Sequence, residues 1–165
     1  MSEKVLVIGA AKSGVAVAKL LHRHGYDVTI TDMSKIEAKE ELEALGMSVW
    51  ENGHPDTLKN EEWAFVVKNP GIKYTVPFVK YFVDHKIKIL TEVEIGYRYA
   101  KKFHYGAVTG TNGKTTITTM LYEMLQHNKK AIVAGNIGWP LSELAYEYED
   151  EEKDVALELS NFQLL

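Results

Sequence analysis

The chain has no cysteine among its 165 residues. Disulfides, thiolate nucleophiles and cysteine-based zinc sites are excluded together. Its six histidines are scattered, without a His-x-x-x-His or comparable pair, so they read as surface or turn residues rather than metal ligands. No apolar run approaches the ~18 residues that a membrane span needs. Met1-Ser2-Glu3-Lys4 leads directly into an apolar strand rather than a signal peptide, and a cytoplasmic location is expected. Excess positive charge is missing as well. A formal net charge of -4 gives no general attraction to nucleic acid or to anionic membranes, so any bound anion has to be held by local groups. There is no low-complexity tract, and 45% hydrophobic with 25% charged residues matches an ordinary folded protein.

What is present is an alternation of apolar runs and helical stretches along the whole chain, the signature of parallel sheets covered by helices. Strands are expected over Lys4 to Ile8, Asp27 to Thr31, Ser48 to Trp50, Ala64 to Val67, Lys88 to Leu90, Tyr105 to Thr109, Ala131 to Ala134 and Asp154 to Leu159. Helices are expected near Ser13 to His24, Ile36 to Leu45, Pro77 to His85, Glu92 to Lys101, Thr115 to His127 and Pro140 to Tyr146. The class is α/β. Two glycine-bearing loops each open a new strand and helix series, which implies a Rossmann-like parallel-sheet domain over 1–100 and the start of a P-loop α/β domain over 101–165. The second series has room for only about three strands. It ends on apolar Phe162, Leu164 and Leu165, so the sequence is expected to be truncated within its second domain.

The most informative stretch is Thr109-Gly110-Thr111-Asn112-Gly113-Lys114-Thr115-Thr116. It stands between an apolar strand and a helix with Met120, Leu121, Met124 and Leu125 available for one face. At such a junction successive backbone N–H groups and the positive end of the helix dipole converge on an anion. Lys114 adds a mobile full charge, and Thr115 places a hydroxyl where a Mg2+ on the phosphates can be met. The usual P-loop spacing is G-x-x-x-x-G-K-[ST]; here its first glycine is absent, so the loop is a shortened variant.

The earlier loop, Gly9-Ala10-Ala11-Lys12-Ser13-Gly14, resembles a dinucleotide fingerprint whose middle glycine is replaced by Ala11, which weakens classical NAD binding. A nucleotide diphosphate can still be met there by main-chain N–H groups and the Ser13 hydroxyl. Asp32, closing the second strand, is placed to accept from a sugar hydroxyl or base N–H, or simply to cap the turn. Asn69-Pro70-Gly71 on its own reads as a turn. Glu158 lies between Leu157 and Leu159 on the last strand. A carboxylate buried there is costly unless paired or bound to a cation, which makes it a candidate second contact to Mg2+ beside Thr115. Gly135-Asn136-Ile137-Gly138 would put an amide side chain near the bound phosphates.

Taken jointly, Thr109 to Thr116, Gly135 to Gly138, Glu158-Leu-Ser-Asn-Phe-Gln-Leu164, Gly9 to Gly14, Asp32 and Asn69-Pro-Gly-Ile72 resemble the Mur ligases of peptidoglycan synthesis, most closely the branch that adds D-glutamate. The resemblance covers the whole chain. It implies a first domain that binds the UDP part of UDP-N-acetylmuramoyl-L-alanine through Lys12, Ser13, Asp32 and Gly71. It implies ATP phosphates bound by Gly110, Thr111, Asn112, Gly113, Lys114, Thr115 and Thr116, Mg2+ held by Thr115 and Glu158, and Asn136, Ser160 and Gln163 approaching the muramoyl-peptide arm. Lys114 and Glu158 would be the residues on which catalysis rests. The implied reaction transfers the γ-phosphate of ATP to the substrate carboxylate; the amine of D-glutamate then attacks the acyl phosphate, and phosphate leaves as the amide forms.

Asn161 stands where the family usually has a second serine, Asn69 where serine precedes Pro-Gly, and Met33 where a hydroxyl is usual. The family also continues through the remainder of the central domain and a C-terminal domain, so the chain is expected to be an N-terminal fragment that binds the UDP substrate without turnover. Three other readings fit part of the sequence: an NAD(P)-binding Rossmann regulatory module built on Gly9 to Asp32, a simple P-loop NTPase, and a Mur ligase that adds a different amino acid.

Overall fold

The computed structural model describes residues 2–128 and 130–163. The chain forms two compact units, Met1–Glu92 and Val93–Leu165. Leu164 and Leu165, which the sequence suggests as apolar ends, lie outside the described residues.

The first unit alternates strand and helix in the order β1 (Lys4–Ile8), α1 (Lys12–Arg23), β2 (Asp27–Thr31), α2 (Lys39–Ala44), β3 (Ser48–Trp50), β4 (Phe65–Lys68), α3 (Pro77–Asp84) and β5 (Ile89–Leu90), with a 3-10 turn at Asp56–Asn60. All five strands run parallel in the spatial order β3-β2-β1-β4-β5. Strands β1 and β4 are apolar apart from Lys4 and Lys68 at their ends, because helices cover both faces of the sheet. One core cluster joins Leu6, Ile8 and Val66 of the sheet to Phe78, Val79 and Phe82 of α3. Pro77 occupies the first turn of α3, where its missing N–H costs no hydrogen bond. Helix α2 begins at Lys39 rather than Ile36; Ile36 is buried, and its N–H donates to Glu51 Oε2 at 3.0 Å instead of entering a helix. That bond and Lys39 together hold the Glu51 carboxyl below its ordinary range.

The chain order of this sheet reverses between β1 and β4: β1, β2 and β3 step one way, while β4 and β5 lie on the other side of β1. In open α/β sheets such a reversal opens a crevice at the carboxyl ends of the flanking strands. The loops after β1 and β4, 9–14 and 69–72, are the ones delivered there.

The second unit comprises α4 (Glu92–Tyr99), β6 (Phe103–Val108), α5 (Lys114–Leu125), β7 (Ala131–Gly135), α6 (Leu141–Tyr148) and β8 (Lys153–Glu158), with 3-10 turns at Gln126–Asn128 and Asn161–Gln163. Its parallel sheet has the order β6-β8-β7. Helix α4 packs with this unit: a Cβ on Gly96 would lie 2.7 Å from the backbone of Leu141 and Ser142, and the Tyr97 and Tyr105 rings are 5.4 Å apart. The division between the units therefore falls at the start of α4, earlier than the chain order alone indicates. On the opposite sheet face, Leu121 of α5 fills the space over Gly106. Fully buried Thr118 and half-buried Leu121 and Leu125 share that side of the helix, while Met120 and Met124 are 59% and 74% exposed. The four-residue apolar face expected of α5 is thus corrected. A small sheet admits only a narrow stripe of the helix, and Gly106 selects which one.

Helix α1 can begin directly after its loop because Gly14 touches the preceding turn; a Cβ there would sit 1.9 Å from the Gly9 carbonyl oxygen. That oxygen belongs to backbone, so it cannot rotate away as a side chain would. Gly14→Ala is expected to destabilise the first unit by about 2 kcal/mol or more, read as a shift in its urea midpoint with an unchanged transition for the second unit.

Candidate functional site

In the first unit, three loops meet at the carboxyl edge of the sheet. Asp32, one residue past β2, accepts from the Ala10 N–H at 2.7 Å through Oδ2 and from the Ser34 N–H at 2.8 Å through Oδ1. The residue ties the β1–α1 loop to the turn after β2. The turn-capping possibility raised by the sequence is realised. Further lone pairs remain on both oxygens for an external donor.

Beside it, His54 sits half-buried, stacked on Phe78 with centroids 4.5 Å apart and with Nδ1 3.0 Å from Thr31 Oγ1. Sequence reading treats every histidine as a surface or turn residue; His54 departs from this because the Asn52-Gly53 turn folds it back onto the core. Burial lowers its pKa, against a smaller opposing pull from Asp32.

Lys68 ends β4 and is 1% exposed. Its Nζ donates to the carbonyl oxygens of Asn69 at 3.1 Å and Ile72 at 2.7 Å and lies 4.5 Å from the centroid of Tyr74. Among the described residues no carboxylate pairs with it, and burial depresses its pKa. Asn69 carries the contact to the first loop, donating from Nδ2 to Ser13 Oγ at 3.1 Å while its Oδ1 accepts the Gly71 N–H at 2.9 Å. Ser13 and Gly71 are therefore brought together by Asn69, whereas Lys12 is exposed on the first turn of α1. Neither Lys68 nor the bridging role of Asn69 was found from the sequence. A lysine closing an otherwise apolar strand was the available signal.

In the second unit the Gly110 to Thr116 loop leads from β6 into α5. Gly113 is the residue before the helix, with φ of +77° in the left-handed region, and Gly110 has φ of +143°. Residues with a Cβ are strained at such angles. The first turn of α5 has no acidic residue and no side-chain cap, so its N–H groups and dipole face outward unneutralised. Lys114 folds back, with Nζ donating to the Gly110 carbonyl at 2.7 Å. Thr111, Asn112, Thr115 and Thr116 are exposed around this turn.

Glu158 ends β8, in register with Val108 of β6 and Gly135 of β7. Its side chain is on the α5 face, because it lies two residues beyond Ala156, the partner of Gly106. The residue is 1% exposed, Oε1 accepts from Asn136 Nδ2 at 2.8 Å, and Oε2 is buried without a partner among the described residues. The outward-facing strand glutamate that a sequence alone permits is excluded. Asn136 also donates its backbone N–H to the Glu158 carbonyl at 2.9 Å. Ser160 and Gln163 join each other: the backbone N–H and hydroxyl of Ser160 both donate to Gln163 Oε1, at 2.7 and 3.0 Å. Among the described residues no cluster of three or more His, Asp or Glu side chains could hold a metal by itself, and no helix is long and apolar enough to cross a membrane. The donor set nevertheless fits a magnesium–nucleotide: a buried acidic oxygen without a partner, a hydroxyl on Thr115, and an uncapped helix start with a lysine.

Two parallel α/β units, one opening a crevice at its strand-order reversal and the other leading from strand to helix through a loop bearing glycine and lysine, define the class as a two-unit parallel α/β protein. Residues 108–164 match the Mur ligase middle domain. The chain is 47% identical over 165 residues to the UDP-N-acetylmuramoylalanine--D-glutamate ligase of Geobacillus sp. (strain WCH70), covering 98% of this chain and 36% of that protein. Identity to the protein of the same name from Enterococcus faecalis is 45% over 170 residues, covering 99% of this chain and 37% of that protein. A pseudomurein peptide ligase type C from Methanothermus fervidus shares the fold at a TM-score of 0.57 and 24% identity, over 97% of this chain and 33% of that one. The chain belongs to the Mur ligase family. It spans little more than a third of the length of the curated relatives it matches.

Two outcomes follow from these geometries. Glu158→Gln, which keeps the Asn136 contact and removes an unpaired buried charge, is expected to leave the second unit as stable or up to about 1 kcal/mol more stable; urea denaturation in the presence of EDTA measures this. For His54, the depressed folded-state pKa means that its contribution is fully present above the ordinary value of 6.5 and is lost as pH falls below it. The stability of the first unit should therefore decline as the pH is lowered from 7 towards 5, and His54→Gln should flatten that slope in a pH series of thermal melts.

Proposed function

We propose that the chain serves the ATP-dependent ligation of D-glutamate to UDP-N-acetylmuramoyl-L-alanine. The observation that carries the reading is the coexistence of two phosphate-type loops with a buried Glu158 oxygen that has no partner among the described residues. Relatives at 45 to 47% identity, matched over nearly the whole chain, bear the name of that ligase.

In this reading the first unit, 1–100 by the sequence division, takes the uridine nucleotide. The diphosphate lies at the start of α1 against Ser13 and main-chain N–H groups, with Lys12 on the adjoining turn. Asp32 and Gly71 stand about the uracil and ribose. The second unit, 101–165, takes the triphosphate of ATP on Gly110 to Thr116. Mg2+ would be held by Thr115 and Glu158, and it would supply neutralisation of the phosphate charge. Asn136, Ser160 and Gln163 face the muramoyl-peptide arm.

The work of the chain's own residues is charge control. A carboxylate and a triphosphate repel each other, and the transition state of phosphoryl transfer spreads negative charge over the oxygens of the moving group. Lys114 can leave the Gly110 carbonyl for a phosphate oxygen with a short swing of its side chain, exchanging a neutral acceptor for a charged one. Asn136 holds one oxygen of Glu158, leaving the other, buried, without a partner among the described residues. With the γ-phosphate on the substrate carboxylate and ADP released, the amine of D-glutamate displaces phosphate and gives up a proton as the amide forms. A cytoplasmic site of action fits the nucleotide substrates.

Calorimetric titration of the 165-residue chain tests this assignment. UDP-N-acetylmuramoyl-L-alanine should bind with amide shifts at Ser13, Asp32 and Gly71, and Mg-ATP should bind with a loss of roughly tenfold or more in Lys114→Ala. Tight NAD binding with no response to the UDP compound would instead favour a pyridine-nucleotide module.

A further inference from the structure

We infer that Asn69 is a positioning residue that commits the Ser13 hydroxyl to donate into the diphosphate of the nucleotide, with Lys68 holding the loop from which it does so. The inference rests on the assignment of the first crevice to a nucleoside diphosphate.

The donors and acceptors around Asn69 have identities that leave no choice. The Gly71 backbone N–H can only donate, so the side-chain atom facing it at 2.9 Å is the Asn69 oxygen. The other end of the same amide is then nitrogen, which can only donate, and it faces Ser13 Oγ at 3.1 Å. The orientation of the amide is thus set by backbone chemistry rather than assumed. Ser13 Oγ must accept in this bond. Its single proton is left to point elsewhere, and Ser13 lies on the first turn of α1, which has no side-chain cap and no acidic residue of its own, the Asp32 carboxylate being engaged by the Ala10 N–H. A hydroxyl held as an acceptor on one side becomes a dedicated donor on the other, which suits a phosphate oxygen and disfavours a ligand that must itself donate.

The bridge works only if the 69–72 loop is stiff. Asn69 O accepts from both the Ile72 N–H at 3.0 Å and Lys68 Nζ at 3.1 Å, using both of its lone pairs, and Lys68 also ties Ile72 O at 2.7 Å. The loop therefore closes on itself through Lys68, whose ammonium is 4.5 Å from the Tyr74 ring centroid. The Asn69 side chain is also packed against the first loop: a Cβ on Gly9 would come within 2.8 Å of Asn69 Cβ. Serine at position 69 is too short to reach both Gly71 N–H and Ser13 Oγ.

A double-mutant cycle on the 165-residue chain, with UDP, uridine and inorganic pyrophosphate as probes, tests the inference. Asn69→Ser should weaken UDP binding roughly five- to twentyfold and weaken binding of uridine, which has no diphosphate to receive the Ser13 proton, by a clearly smaller factor, with a cooperative thermal melt reporting an intact fold. In a Ser13→Ala background the same Asn69→Ser change should add less than about twofold to the loss in UDP affinity. An unchanged UDP affinity in Asn69→Ser, or an equal loss with and without the Ser13 hydroxyl, would overturn it. If pyrophosphate shows the coupling while UDP does not bind, the uridine assignment fails and the Ser13 inference stands; if neither binds the wild-type chain, both fail.

Discussion

Parallel strand pairing is the constraint on which everything else in these two units depends. Every strand in a parallel sheet ends on the same edge, so the loops after β1, β2 and β4 in one unit, and after β6, β7 and β8 in the other, are delivered side by side. Crossover helices then start where those loops finish. The free N–H groups and positive dipole ends of α1 and α5 consequently face the same edges as the polar side chains. The chemistry of the chain is collected there because the backbone has no other place to put it.

Three charged side chains at strand ends show how differently such an edge can treat a charge. Asp32 takes two backbone N–H groups and so works as a clamp between loops. Lys68 is almost wholly buried, gives its protons to carbonyls and lies over the face of the Tyr74 ring, with no ion pair among the described residues. Glu158 is equally buried, yet half of its carboxylate is left without a donor among the described residues. A buried charge satisfied by the fold is structural; one that is not is waiting for something the fold does not supply. This distinction separates Glu158, whose Oε2 has no partner among the described residues, from Lys68, whose protons are taken up by the loop it holds.

Much of this was legible along the chain. The eight strands occur where apolar runs stand between turn residues, with ends displaced by a residue or two, as at β6, which begins at Phe103 rather than Tyr105. The Gly110 to Thr116 loop and the buried character of Glu158 were visible because their residue types have few other uses at a strand's end. The face that α5 presents was not, since Met120, Leu121, Met124 and Leu125 are nearly equivalent by spacing and only Gly106 across the sheet distinguishes them. His54 was hidden for a similar reason: nothing local indicates that the Asn52-Gly53 turn returns it to Phe78.

By itself the sequence determined the α/β alternation, the positions of the two glycine-bearing loops and the family, because each depends on residues adjacent in the chain: periodicity, glycine at turns, lysine and threonine at a helix start. Only the tertiary structure decided that Asn69 reaches Ser13, that Lys68 ties its own following loop, and that Asn136 holds one oxygen of Glu158 and leaves the other open. Those contacts are hydrogen bonds a few ångströms long between groups brought together by strand order and loop closure. Directional bonds of that length are set by where backbones end up in space, which spacing along a chain does not specify.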